Sequence, residues 1–242
     1  MVQMNGAKPR LRIKFKKVGK LQYVSHLDLV RTMHKTLVRS KLPLWYTEGF
    51  NPKPKMTFAA PLSIGTESVC EFLDVTLTES PSPEEMMKAL NANMTDEMQV
   101  IEAYYPETKF TDLAWLSYTV KIKTENVSRE LAEACDSLLN SEKIEILKNT
   151  KSGEKIVDIR PLIRNASAVL DGELIRISAC LSADPATFLN PEYLIKALRD
   201  KLGVLSSPDI TKEAYSIMRE RAYFADMTEF RLLLRDSYPT TA

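Results

Sequence analysis

Residues 10–16 alternate without exception, with Leu11, Ile13 and Phe15 on one side and Arg10, Arg12, Lys14 and Lys16 on the other. A period of two with one apolar side fits a half-buried strand, so the chain needs a sheet that hides one face. Lys17 to Lys20 has the composition of a turn, and residues 21–24 extend again. Ser25 then opens a helix, with Asp28 placed to complete a capping box. Leu27, Val30, Met33 and Leu37 recur at helical spacing and are expected in the core, while Arg31, Lys35 and Arg39 form a basic stripe on another face. Pro43 ends the helix.

Residues 45–55 read Trp-Tyr-Thr-Glu-Gly-Phe-Asn-Pro-Lys-Pro-Lys. Two prolines at alternate positions remove donors and fix φ, Gly49 admits positive φ, and Asn51 is pushed toward extended backbone by Pro52. The stretch is therefore a stiff loop that loses little entropy when a partner docks. Residues 44–46 are a candidate extra strand beside it.

Strands are expected over 56–60 and 69–77, a helix from Ser82 to about Asn93, and a strand over 99–104, giving the order βαββαβ. Residues 106–112 read as a linker. The order then repeats: strand 116–123, helix 128–139 with Leu131, Cys135 and Leu138, and strands 143–148 and 156–159 across a Ser152-Gly153 turn. Asp171-Gly172 marks a tight hairpin into 174–181, Asn190-Pro191 caps a helix ending at Gly203, and a strand covers 210–218. The expected fold class is α+β, with two tandem ferredoxin-like (βαββαβ) units built on antiparallel sheets. The domains are 1–107, which carries the basic helix and the loop, and 108–242, with an extra hairpin and an irregular tail from Ala222.

The net charge of +1 conceals an asymmetry. Residues 1–60 hold 13 Lys or Arg against Asp28 and Glu48, whereas residues 61–112 hold 11 acids against Lys88 and Lys109. This implies either a phosphate-binding face or two surfaces that neutralise each other. Three widely spaced cysteines suit buried free thiols rather than a disulfide framework or zinc site. No apolar run approaches a membrane span and the N-terminus lacks a signal-peptide core, so a cytoplasmic protein with no membrane partner is expected.

His26 and His34 lie eight residues apart on one helix, which does not suit a shared metal, and no metal site is expected. His26 sits at the first helical position, where the dipole favours the neutral imidazole that a general base requires. His34 is expected to be a helix surface or boundary residue. Arg12 and Lys14 should project from the open face of a central strand, where cations suit phosphates more than bases; the alternative is a charged, solvated face answered by Glu67, Glu71 and Asp74. Lys53 and Lys55 alternate with prolines and point to one side. Trp45, Tyr46 and Phe50 either pack on the core or stack on a base, and Glu48 pairs with a lysine or a ligand amine.

With Tyr23-Val-Ser-His-Leu-Asp28, Arg31, Tyr46 to Lys55, Pro61-Leu62, Gly65 and Glu71-Phe-Leu-Asp74 in place, the chain resembles the bacterial radical-SAM-associated (radical-SAM-linked) proteins, a domain of unknown function. A looser match surrounds Val157-Asp-Ile-Arg-Pro-Leu-Ile163. In that family the domain is fused behind a radical SAM protein or stands as a separate chain, so the resemblance implies a radical SAM protein as partner. The chain has no Cys-x3-Cys-x2-Cys set for the cluster such chemistry uses. It would then be the accessory half, and no cofactor of its own is expected. The tandem order is also similar to that of RNA-processing endoribonucleases of CRISPR systems, although fold does not carry function.

The resulting expectation is an accessory protein that binds RNA or presents a substrate to a radical SAM enzyme in RNA modification or processing. Arg12, Lys14, Arg31, Lys35, Lys53 and Lys55 would engage phosphates, while His26, Tyr46, Glu48, Phe50 and Asn51 shape the site. One alternative is a metal-independent endoribonuclease with His26 as catalytic base and Lys53 or Arg31 stabilising developing charge. Another is a protein-interaction module for an acidic partner.

Overall fold

The computed structural model describes residues 8–150 and 153–231. The opening alternation forms strand β1 (Arg10–Lys17), whose Leu11, Ile13 and Phe15 are fully buried. Ser25 caps α1 (His26–Arg39) by accepting a hydrogen bond from the Asp28 N–H. The buried face of α1 is Leu29, Met33, Thr36 and Leu37, and Leu27, expected in the core, is 58% exposed. Leu27 lies two residues before Leu29, about 200° around the helix, and so faces water.

The first half continues with β2 (Met56–Phe58), β3 (Thr66–Thr76), α2 (Pro83–Asn91) and β4 (Val100–Tyr104). The second half comprises β5 (Trp115–Lys123), α3 (Arg129–Leu139), β6 (Glu145–Thr150), β7 (Gly153–Asp158), β8 (Ile163–Asp171), β9 (Leu174–Ser182), α4 (Glu192–Leu202) and β10 (Ala214–Tyr223). Gly203 ends α4 with φ of 68°, a left-handed cap that glycine adopts without penalty.

One eight-stranded sheet runs β4-β1-β3-β10-β5-β9-β8, with β2 also on β3. β2 takes one end of β3, from Met56 opposite Val75 to Phe58 opposite Leu73. β10 takes the other end in parallel, from Ile217 opposite Thr66 to Arg219 opposite Ser68. The remaining pairings of the named strands are antiparallel. The chain is thus mixed α+β, with a mostly antiparallel sheet and four α-helices among the described residues. The β6–β7 hairpin stands apart as its own two-stranded sheet.

Two apolar clusters fill the interior. One joins β1, α1, β3 and α2 through residues such as Ile13, Met33, Leu73 and Met86, and the other joins β5, α3, β9 and α4 through Val120, Cys135, Ile177 and Leu198. On α3 the buried positions are Ala132, Cys135 and Leu139, while Leu131 and Leu138 flank them. Cys70 and Phe72 of β3 belong to the second cluster, so one strand serves both.

Several local expectations change. Residues 21–24 are not a strand: a 3-10 helix covers Gly19–Tyr23, closed by the Val24 N–H donating to the Leu21 carbonyl. Residues 44–46 make only isolated bridges, Leu44 with Leu77 and Tyr46 with Pro54. A 3-10 turn over Ile210–Lys212 delays the last strand to Ala214. Ser152 of the expected turn, and the tail beyond Arg231, lie outside the described residues. Among the described residues no helix is long and apolar enough to cross a membrane.

Candidate functional site

The basic stripe and the stiff loop form the two walls of one groove. Arg31, Lys35 and Arg39 are four residues apart on α1, so they stack on one face, and His34 and Val38 form the adjacent row. Opposite them the loop folds back as a hairpin. The Thr47 N–H donates to the Lys53 carbonyl at 2.8 Å, the Lys53 N–H to the Thr47 hydroxyl at 3.1 Å, and the Lys55 N–H to the Trp45 carbonyl at 2.8 Å. The hairpin hangs on β3 through Trp45 N–H to Thr76 carbonyl at 2.9 Å and Thr76 N–H to Lys55 carbonyl at 3.0 Å. Gly49, with φ of 120°, turns the tip, and Phe50 beside it is fully exposed.

The groove holds about 450 Å³ and is lined by Arg31, His34, Lys35, Arg39, Tyr46 and Lys53, with Val38, Pro52 and Pro54 as its apolar parts. Among the described residues no carboxylate lines it. Asp28 holds Arg31 at 3.0 Å, whereas Lys35, Arg39 and Lys53 pair with no carboxylate among the described residues. His34 is half-buried, and its Nδ1 is buried with no hydrogen-bond partner among the described residues. Burial, and secondarily the charge of Lys53, hold its imidazole below the usual histidine range, so it is neutral near pH 7.

The structure therefore brings Arg31, Lys35, Tyr46 and Lys53 together and adds His34 and Arg39. Their signal was present in the sequence: His34 follows Arg31 by three residues and Arg39 completes the four-residue repeat. What hid it was the unknown placement of the loop over that face.

The other expected residues go elsewhere. Arg12 is a correction: it is fully buried rather than projecting from an open face. Its guanidinium donates to Asp74 at 2.7 and 2.9 Å and to the Thr108 hydroxyl and carbonyl at 2.9 and 3.1 Å. It also lies 4.2 Å from the Phe110 ring centroid and 5.0 Å from that of Phe230. Lys14 reaches Glu229 at 3.5 Å above the Phe72 ring. The expected linker and residues 224–230 cover this face of the sheet. Here the basic and acidic segments do neutralise each other, since Arg10 also meets Asp74, at 3.3 Å.

Lys55 and Glu48 line a second cavity of about 740 Å³ with Trp45, Arg10 and Asp74. Trp45 and Tyr46 are neighbours on an extended segment and so point to opposite faces. The expected single site is accordingly divided between the two faces of the hairpin. Phe50 and Asn51 stand exposed at its tip. His26 is exposed with its ring 5.2 Å from Phe58. The cavity holding Arg31 and Lys53 is lined by His34, and His26 is not among its lining residues. Among the described residues, no cluster of three His, Cys, Asp or Glu could hold a metal ion.

Residues 10–191 match the family described as an uncharacterized protein conserved in bacteria (DUF2344), and the chain belongs to that family. No curated protein matches it. Among solved structures, a chain from the crystal structure of a Cbf5-Nop10-Gar1 complex aligns at 12% identity with a TM-score of 0.48, over 88% of this chain and 48% of that one. The chain thus spans about half the length of that protein. An unknown protein from Galdieria sulphuraria aligns at 9% identity with a TM-score of 0.25, over 88% of this chain and 99% of that one.

Proposed function

We propose that this member of the bacterial family is an accessory protein that binds RNA, or presents an RNA substrate, for a radical SAM enzyme in RNA modification or processing. The observation that carries the RNA part is the groove between α1 and the hairpin, lined among the described residues by four cationic side chains and no carboxylate. Such a lining favours a polyanion through phosphate contacts, and its proline-stiffened wall limits the entropy lost on binding. The radical SAM partner rests on the resemblance carried by residues 23–74. The strand orders β4-β1-β3-β2 and β10-β5-β9-β8, with the β6–β7 hairpin as an insertion, support reading the chain as two ferredoxin-like units, 1–107 and 108–242.

The test is RNA binding by the full chain across a salt series. Affinity should fall steeply and log-linearly with salt, as phosphate contacts require. No binding at about 50 mM salt would sink the RNA reading and favour docking of an acidic protein instead.

A further inference from the structure

Resting on that reading, we propose that the groove takes a single-stranded stretch of RNA with its bases unstacked, and does not take a duplex. The two walls of the groove differ in chemistry. Along α1 the cations Arg31, Lys35 and Arg39 rise in steps of about 6 Å, four residues at a time, and form one row that can follow one backbone. The facing wall sets Tyr46, Pro52 and Pro54 around the single cation Lys53, with Val38 at the helix side.

Tyr46 is 40% exposed, and Phe50 at the hairpin tip is more exposed than the reference for a fully open side chain, at 112%. Both belong to the same hairpin, yet they are not equivalent to Trp45, which lines the other cavity beneath the Lys8 ammonium at 4.3 Å. Phe50 stands at the hairpin tip outside the groove's own lining, and covering its exposed ring with a flat partner is favourable. An unpaired base is such a partner, because every base offers a flat face, and stacking on an aromatic tolerates any sequence. In a duplex those faces are buried against one another, and shape and backbone are all that remain to contact. A groove of about 450 Å³ has room for a nucleotide unit set against Tyr46.

Fluorescence anisotropy of the full chain can test this with a labelled RNA of about a dozen nucleotides lacking self-complementarity, alone and annealed to its complement. The single strand should bind about ten-fold or more tightly than the duplex. Phe50→Ala and Tyr46→Leu should each weaken single-strand binding by about five-fold or more without changing the salt slope. Phe50 is fully exposed, so its replacement leaves folding intact. Equal affinity for the two forms, or indifference to both substitutions, overturns this inference while leaving general RNA binding standing. Failure of both RNAs to bind at about 50 mM salt removes the underlying function instead.

Discussion

Arg219 of β10 and Glu71 of β3 meet with Nη1 2.9 Å from Oε1, both almost wholly buried, at the place where the two halves of the sheet join. Arg219 also donates from Nε to the Tyr118 hydroxyl at 3.1 Å and from Nη2 to the Pro61 carbonyl at 2.7 Å. The seam itself pairs only three residues on each strand, so these side chains tie together segments the backbone joins weakly. Glu71→Gln leaves a buried guanidinium without its carboxylate and should cost about 3–5 kcal/mol. Burial already pushes the buried Lys17 amine down, and Glu71 favours its charge, so the same substitution also penalises Lys17. Urea unfolding checks this: Glu71→Leu with Arg219→Met should recover much of the loss. A double variant as unstable as the sum of its singles would show that the pairing is not the cause.

The groove cations should act as phosphate contacts. Lys35→Gln and Arg39→Gln should each lower RNA affinity and reduce the log–log salt slope by about 0.7, the increment for one single-strand phosphate contact. Lys121→Gln, on an exposed position of β5, should change neither. A slope unchanged by both groove substitutions would mean that those side chains do not touch the backbone of the RNA.

Much of this arrangement was legible in the chain because local rules agree with the tertiary ones. The alternation of 10–16 forms β1, Ser25 caps α1 and Gly203 ends α4, since each depends on its neighbours in sequence. Arg12 shows where such reasoning stops. Alternation gives the face a side chain takes, but whether Thr108, Phe110 and Phe230 later cover that face depends on contacts about a hundred residues or more away. The same limit applies to His34, whose burial arises only when the 45–55 hairpin folds over α1. The parallel seam between β3 and β10 has no local signature at all, because a sheet edge looks the same in sequence whether or not a distant strand joins it.

The three thiols should be silent in the native protein. Burial pushes Cys70 up to about 12 and Cys135 and Cys180 each up to about 11, far from the range in which a thiolate forms at neutral pH. A disulfide-exchange reagent at pH 7.5 should label none of them until denaturant opens the fold, then all three. Rapid labelling of Cys70 in the folded chain would mean that the β3–β10 seam opens.

His34 should make RNA binding depend on pH. Its folded-state pKa is lowered from the ordinary 6.5 by burial first and by Lys53 second, so the unfolded chain binds more protons between the two values. The sign follows: the stability gained by keeping the ring neutral is fully present above about 6.5 and is lost as pH falls through the lower folded value. A phosphate in the groove acts in the opposite direction, favouring imidazolium and drawing a proton in on binding. RNA affinity should therefore rise as pH falls below about 6.5, while the free protein becomes less stable over the same range. His34→Gln should flatten both profiles, leaving the salt slope above pH 7 unchanged. Anisotropy and thermal unfolding measured across that range check the two together, and an affinity indifferent to pH in the wild-type chain would place His34 outside the bound phosphate's reach.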